Sequence, residues 1–592
     1  MENIFFDIGA IIIIATVFAY LAKLMKQPLI PAYIVTGLMI GPLAGLITNT
    51  AVIMNMSEIG IAFLLFMVGM EMDIKKLKDV GLISYLGGLT QVVATFTFAF
   101  IMSMFIGFVH REALYIGLII AFSSTTIVVK LLSDKREIDT LHGRIIIGIL
   151  LMQDIIAIFV LLILTNLDKF SFLILVFSLL KGILLIITAY VCAKYIFPSI
   201  LKFAAKSREL LFLVALTICF LFALIFNKIG YILIALWQNL TLYLSPEIYK
   251  MLEPGFSIAI GAYVAGVTLA NSPYIVEIIG RIKPLRDFFA TIFFVSLGLQ
   301  LTIGSATTII KPLMILILFV IILKPFILMF ICSFFGYKKR TGFLSSMSLA
   351  QVSEFSLIIV AQGLVLGHVG QDIFTLTILL AIITITLTSY FIKYEEDIFQ
   401  KIKRYIGFFD RFTESGHELE YIPDIKKNHI ILCGYNRIGY SVVKTLRKLK
   451  KDLIIVDFNP EVIRKLMKEH IACLYGDVGD TEVLERLNLK NASMVISTVP
   501  TKRDNLLLIR KTKEANKNTI IFVTANQLEE ALSFYDSGAD YVILPHFLGG
   551  EHLSVLIEDL GKDVKRIIKK KLSHIKELQE RKELGHEHPR HH

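Results

Sequence analysis

The chain has 592 residues, 55% of them hydrophobic and 18% charged, with a mean hydropathy of +0.71. An ordinary soluble domain is about 25% charged, so a purely soluble enzyme is excluded. Of the 60 Lys and Arg and 49 Asp and Glu behind the net charge of +11, residues 1–394 hold 27 and 19, so a membrane part precedes a charge-rich soluble part.

The opening stretch from Met1 to Tyr20 is apolar, with neither a basic start nor a small-residue cleavage site, and reads as a first spanning helix. Thirteen apolar runs of about 16 to 27 residues follow one another from 4–22 to 371–392, each enough for a ~30 Å hydrocarbon core. With the N-terminus outside, the inner loops hold eighteen Lys and Arg and the outer loops five, which places the C-terminal part in the cytoplasm. The basic excess therefore reports topology and not a nucleic-acid surface. The apolar stretch Tyr231 to Leu244 reads as an outer re-entrant or interfacial segment. The five cysteines show no paired spacing, so neither a disulfide framework nor a metal cluster is expected.

Segments recur at an offset of 229 residues: Thr36-Gly37 with Ala265-Gly266, Glu58 with Asp287, Gly69 with Gly298, and Ser124 with Ser353. Seven helices separate each pair, and an odd number turns the second copy upside down. This is the inverted-repeat plan of secondary transporters, whose sites form near the midplane where broken helices meet.

Ser123-Ser124-Thr125-Thr126 interrupts the fifth apolar run, and Gln351-Val352-Ser353-Glu354 interrupts the twelfth at matched positions. Both read as breaks. Asp154, preceded by Gln153, lies inside the sixth run and Lys324 inside the eleventh. A charge near mid-membrane costs at least about 2.5–3.5 kcal/mol, so such residues face a partner or a wet cavity. Asp154 is expected to hold a proton and a cation in turn, with Lys324 as its partner in one state. Since Gln153 stands where a second carboxylate could, electroneutral one-for-one exchange is the simpler expectation. Glu354 completes or tunes the site.

These residues resemble the cation:proton antiporter-2 family, specifically the glutathione-gated type of potassium-efflux antiporter. The likeness rests on Gln27-Pro28, Gly37, Gly41-Pro42, Phe63-Leu64-Leu65-Phe66, Gly69-Met70-Glu71, the Ser123–Thr126 run, Gln153-Asp154, Gly261-Ala262, Phe293-Phe294-Val295 and Gln351 with Ser353-Glu354-Phe355. It implies a homodimer whose mobile core carries the ion at Asp154, two broken helices crossing beside it, and Lys324 at the family's lysine position. Its Gln-Asp pair resembles the potassium-type site, so K+ is preferred over Na+. The longer Asn227–Pro254 stretch departs from the family pattern.

Residues 395–427 read as a linker. In 428–548, Ile430-Ile431-Leu432-Cys433 reads as a strand, Gly434 to Gly439 as a tight turn, Ser441 to Lys450 as a helix and Leu453 to Asp457 as a second strand. This is the start of a dinucleotide-binding fold, in which Gly434 and Gly439 bring helix N-terminal amides to phosphate and Asp457 accepts ribose hydroxyls. Asp477 and Thr498, at the ends of later strands, join the candidate nucleotide residues. The pattern resembles the potassium-conductance-regulating, or NAD-binding, domain, where Arg437 would meet phosphate. Asn436 replaces the middle glycine, which leaves AMP as plausible as NAD(H). Thr524-Ala525-Asn526 lacks the arginines of glutathione-gated relatives. The last segment, 549–592, reads as a charged helix and tail.

The expected fold is thus a multi-pass helical membrane domain over 1–394 with a cytoplasmic α/β Rossmann-like domain, in the cell membrane. The expected partners are K+ or Na+, H+, lipid, a second copy of the chain and a cytoplasmic ancillary protein, without nucleic acid. A channel would need a carbonyl filter such as Thr-Val-Gly-Tyr-Gly, which the sequence lacks. An oxidoreductase would need a further domain with acid–base residues beside a nicotinamide, so a non-enzymatic antiporter is favoured.

Overall fold

The computed structural model describes residues 4–25, 27–47, 51–71, 83–135, 137–138, 140–164, 187–239, 258–301, 306–411, 420–421, 428–435, 438–457, 460–479, 481–545, 547–548 and 554. It forms two compact units, one of residues 1–138 and 142–412, the other of residues 139–141 and 413–592.

In the first unit, eight helices among the described residues are long and apolar enough to cross a bilayer, and Leu29–Leu43, Ile258–Ala270 and Glu354–Val365 are shorter apolar helices. Much of the expected run at 170–193 lies outside the described residues. Arg208–Asn239 is one helix of 32 residues, so the expected interfacial segment at Tyr231 begins inside a continuous helix. The stretch Asn227-Lys228-Ile229-Gly230 contains no proline, and a lone glycine costs about 1 kcal/mol, too little to end a long helix.

The last membrane helix, Gln371–Ile402, also continues past the boundary expected at residue 394, which shortens the expected linker. Two of the charges in this extension are partnered from other helices. Lys135 Nζ donates to Glu395, Arg340 pairs with Glu396 at 3.3 Å, and Gln400 donates to Glu396 one turn away at 2.9 Å. A 3-10 turn follows at Ile406–Arg411.

The 229-residue offset appears as a pair of exchanged contacts. The helix Leu29–Leu38 packs on Ile275–Leu299, and Ala51–Glu71 packs on Ile258–Ala270. A Cβ on Gly37 would lie 2.0 Å from Val295 O, and one on Gly298 would lie 2.0 Å from Ile34 O. The same holds at 2.3 Å for Gly69 on Tyr263 O and at 2.1 Å for Gly266 on Phe66 O. Only hydrogen fits at these four positions. The offset carries Gly37 to Gly266 and Gly69 to Gly298, so it maps one crossing onto the other.

Both expected breaks are present. His110–Ala121 and Thr125–Lys135 are separated by Phe122–Ser124, and Lys339–Ser348 and Glu354–Val365 by Leu349–Ser353. Within the eleventh expected run a wide π-type turn, Phe319–Leu323, leads into the helix Lys324–Phe334. Pro325 has no N–H for the carbonyl of Ile321, which is the physical reason for a widened turn there.

In the second unit β1 (Glu420–Tyr421), β2 (His429–Cys433), β3 (Leu453–Asp457), β4 (Cys473–Tyr475), β5 (Ala492–Ser497), β6 (Ile520–Thr524) and β7 (Tyr541–Ile543) form one sheet in the order β1-β4-β3-β2-β5-β6-β7. All neighbours are parallel except β1 with β4. β2 and β3 are buried along their whole length, as parallel strands covered on both faces must be. The strand order reverses between β2 and β5, and the carboxyl ends of these strands frame the crevice where such folds take ligands. Apart from Ser554, the expected terminal helix and tail at 549–592 lie outside the described residues.

Candidate ion-exchange and nucleotide sites

A broken helix frees backbone groups that must find other partners in a membrane. At the first break the Ser123 N–H donates to Gln153 Oε1 at 2.8 Å, and Ala121 O accepts from Gln91 Nε2 at 3.3 Å. At the second, the Val352 N–H donates to Thr384 Oγ1 at 3.3 Å, and Ala350 O accepts from Thr388 Oγ1 at 2.8 Å. Ala121 with Ala350 and Ser123 with Val352 are again related by 229 residues, so equivalent backbone groups are satisfied by different side chains.

The two breaks are tied directly together. Ser123 Oγ donates to Leu349 O at 2.9 Å, and Gln351 Nε2 donates to Ser124 O at 3.3 Å. Lys324 Nζ, fully buried, donates to Phe122 O at 3.0 Å and Gln351 O at 2.7 Å. These two carbonyls are themselves repeat mates. Lys324 therefore bridges the crossing, and in this conformation its hydrogen bonds go to backbone and not to Asp154.

Asp154 projects from the helix Leu141–Leu164 and is buried. The Thr125 hydroxyl reaches both of its carboxylate oxygens, at 3.1 and 3.0 Å. At the second break Thr126 Oγ1 donates to Glu354 Oε1 at 2.9 Å, while the buried Glu354 Oε2 has no hydrogen-bond partner. Glu354 and Glu71 are the acidic groups that act on Asp154 electrostatically. Oxygen donors of this kind, carboxylate and hydroxyl, suit hard cations.

Among the residues expected at this site, the structure gathers Asp154, Thr125, Thr126 and Glu354 around the crossing as oxygen donors. Ser124 and Ser353 instead cap the helices that leave the breaks, accepting from Ile127 N at 3.3 Å and Phe355 N at 3.1 Å. Gln153 spends its oxygen on Ser123 and its nitrogen on Gln91 Oε1, at 2.6 Å. Gln91 and the pair Thr384 and Thr388 were not among the expected residues. Their signals are faint: a buried amide in the apolar stretch 88–106, and two threonines one helical turn apart.

In the second unit Gly434 ends β2 with φ +90°, a conformation that favours glycine. A Cβ there would lie 2.5 Å from Thr498 Oγ1, and one on Gly439 would lie 2.0 Å from Gly434 O. The helix Ile438–Lys448 therefore starts against the turn. The Tyr435 N–H donates to Asp457 Oδ2 at 2.8 Å, and the Thr498 hydroxyl donates at 3.0 Å to Gly434 O. Gly434, Gly439, Asp457 and Thr498 thus converge on one crevice. Asp477 follows β4, two strands from β2, where it accepts from the Gly479 N–H at 2.9 Å. Asn436 and Arg437 lie outside the described residues. Burial, reinforced by the Asp457 charge, pushes the Cys433 thiol beneath this turn up to about 12.

Crossed helix breaks around a buried carboxylate, joined in one chain to a parallel nucleotide-type fold, define a secondary transporter with a regulatory domain. The transmembrane sodium/hydrogen exchanger family model matches residues 11–234 and 240–393, and a TrkA-N domain model matches 430–545. The chain belongs to the sodium/hydrogen exchanger family. It is 24% identical over 554 residues to YbaL of Escherichia coli (strain K12), a protein named as a cation/proton antiporter, covering 90% of this chain and 93% of that one. It is 25% identical to the glutathione-regulated potassium-efflux system protein KefC of Klebsiella pneumoniae, covering 86% and 77%. With K(+) efflux antiporter 5 of Arabidopsis thaliana it is 28% identical, and the match spans 60% of each chain. The sodium proton antiporter MjNhaP1 of Methanocaldococcus jannaschii is similar in structure, with TM-score 0.48, 17% identity and coverage of 66% and 96%.

Proposed function

We propose that this protein is a monovalent cation:proton antiporter that exchanges K+ for H+ at Asp154 under the control of its TrkA-N domain. The observation that carries the reading is the buried Asp154 carboxylate at the crossing of two helix breaks, with the Thr125 hydroxyl on both of its oxygens. A carboxylate there binds either a proton or a cation, and either one neutralises it. Alternation of access from the two sides then couples the two flows. With Gln153 neutral and committed to the break, one carboxylate exchanges one charge for one charge.

The contacts exchanged by the 229-residue offset support an inverted repeat, and with it an alternating-access mechanism. Relatives named for potassium efflux support K+; the family name keeps Na+ as the alternative. The charge distribution supports an N-terminus outside the cell membrane and a cytoplasmic C-terminal domain. The protein acts as a homodimer, with a cytoplasmic ancillary protein as a further candidate partner. The membrane domain covers 1–394, with its last helix reaching Ile402, and the regulatory domain 428–548. The crevice of Gly434, Gly439, Asp457 and Thr498, with Asn436 and Arg437 between the two glycines in sequence, takes AMP or NAD(H) as regulator and not as catalyst.

The test is proton movement in proteoliposomes bearing a pH gradient, with K+ and Na+ in turn. Collapse of the gradient by K+ in the intact protein, and its loss in Asp154→Asn, is expected. Collapse by Na+ alone would name the other ion, and equal activity in Asp154→Asn would remove the site.

A further inference from the structure

The two breaks are satisfied in different ways, and the difference singles out one residue. At the second break both freed groups are met by Thr384 and Thr388, one turn apart on the single helix Gln371–Ile402. At the first they are met from two helices: Gln153 on Leu141–Leu164 takes the Ser123 N–H, and Gln91 on Gly88–Ile106 takes Ala121 O. The two amides are then joined to each other, Gln153 Nε2 donating to Gln91 Oε1 at 2.6 Å.

This chain has a fixed direction. Gln91 Nε2 donates to Thr95 Oγ1 at 3.0 Å and to Ala121 O at 3.3 Å, so its oxygen is turned toward Gln153. Gln153 must then give its nitrogen to Gln91, which leaves its oxygen for Ser123. All three side chains, Gln91, Thr95 and Gln153, are buried, so water does not compete for these bonds. We infer that Gln91 is a positioning residue for ion exchange: by orienting the neighbouring Gln153 amide it holds the first break in the register that places Thr125 on Asp154. Thr125 lies two residues beyond Ser123, and Asp154 follows Gln153 directly, so a turn of the Gln153 amide displaces both halves of the ion site.

The inference rests on Asp154 as carrier, and the experiment separates the two. Wild type, Asp154→Asn, Gln91→Met and Gln91→Glu are compared in proteoliposomes for cation KM and maximal rate, with thermal melting to check folding. Gln91→Met keeps the shape but removes every bond, and is expected to raise the cation KM about tenfold with a maximal rate within about threefold of wild type. Gln91→Glu, protonated or ionised, still accepts from Gln153 Nε2 and so keeps that amide turned. It is expected to keep the cation KM within about threefold of wild type where Gln91→Met raises it, a rescue that a merely structural defect does not produce. An unchanged KM in folded Gln91→Met overturns the inference, as does a Gln91→Glu KM raised about tenfold. If Gln91→Met does not fold, the KM of Gln91→Glu alone decides. Equal exchange by Asp154→Asn would instead remove the carrier reading itself.

Discussion

The Thr125 hydroxyl lies 3.1 and 3.0 Å from the two carboxylate oxygens of Asp154, so a residue just past the first break holds the one carboxylate of the Leu141–Leu164 helix. A hydrogen bond to a charged group contributes about 1.5–3 kcal/mol. Thr125→Val, which keeps the volume, is expected to raise the cation KM by about one to two orders of magnitude while leaving the fold intact. Concentration series in proteoliposomes check this, and a KM within twofold of wild type would show that Thr125 does not support the ion.

Lys324→Met should cost stability as well as transport. It strips the donor from two buried carbonyls, Phe122 O and Gln351 O, and each buried acceptor left unsatisfied costs about 1–3 kcal/mol. Melting of the detergent-solubilised protein should fall by several degrees. If Lys324 served only as a charge partner of Asp154, melting would stay near the wild-type value while exchange changed.

Gly37→Ala and Gly266→Ala should be damaging to the same degree. Their added Cβ atoms meet carbonyl oxygens at 2.0 and 2.1 Å, in crossings that the 229-residue offset exchanges. Overpacking a core typically costs about 1–3 kcal/mol, and here the obstacle is backbone that cannot swing aside. Paired melting curves would test the relation, and a harmless change at either glycine would break it.

Asp457→Asn is the informative change in the regulatory crevice. Its amide oxygen can still accept the Tyr435 N–H that Asp457 Oδ2 takes at 2.8 Å, so the turn should survive. The charge that favours ribose hydroxyls is lost. AMP and NAD(H) should therefore stabilise the intact variant against heat less than wild type, while exchange in their absence is unchanged.

The Cys433 thiol, pushed up to about 12 by burial, is neutral at physiological pH, and the thiolate is the reactive form. Folded protein should leave Cys433 unmodified by a maleimide at pH 7.5, with labelling appearing on denaturation. Mass spectrometry of the digested protein reads this directly, and fast labelling in the native state would show the β2 end open to solvent.

Much of this architecture was legible because its causes are local or repetitive. Apolar runs report a bilayer, and the Gly434–Gly439 turn before Asp457 reports a nucleotide fold. The offset between Ser124 and Ser353 located both breaks without coordinates, because interrupted apolar runs leave a trace in composition. Where helices end was less legible: Arg208–Asn239 and Gln371–Ile402 run on because no proline stops the one and Lys135 and Arg340, far away in the chain, pair with Glu395 and Glu396 of the other.

By itself the sequence determined that a buried Asp154 and Lys324 share a membrane unit with two matched breaks, since the cost of placing charge in hydrocarbon leaves few other readings. Only the tertiary structure decided how they are used. Lys324 serves the carbonyls of Phe122 and Gln351, and Gln153 is turned by Gln91, because a freed N–H or C=O takes whichever buried partner lies within about 3 Å, and that distance is set by helices far apart in the chain.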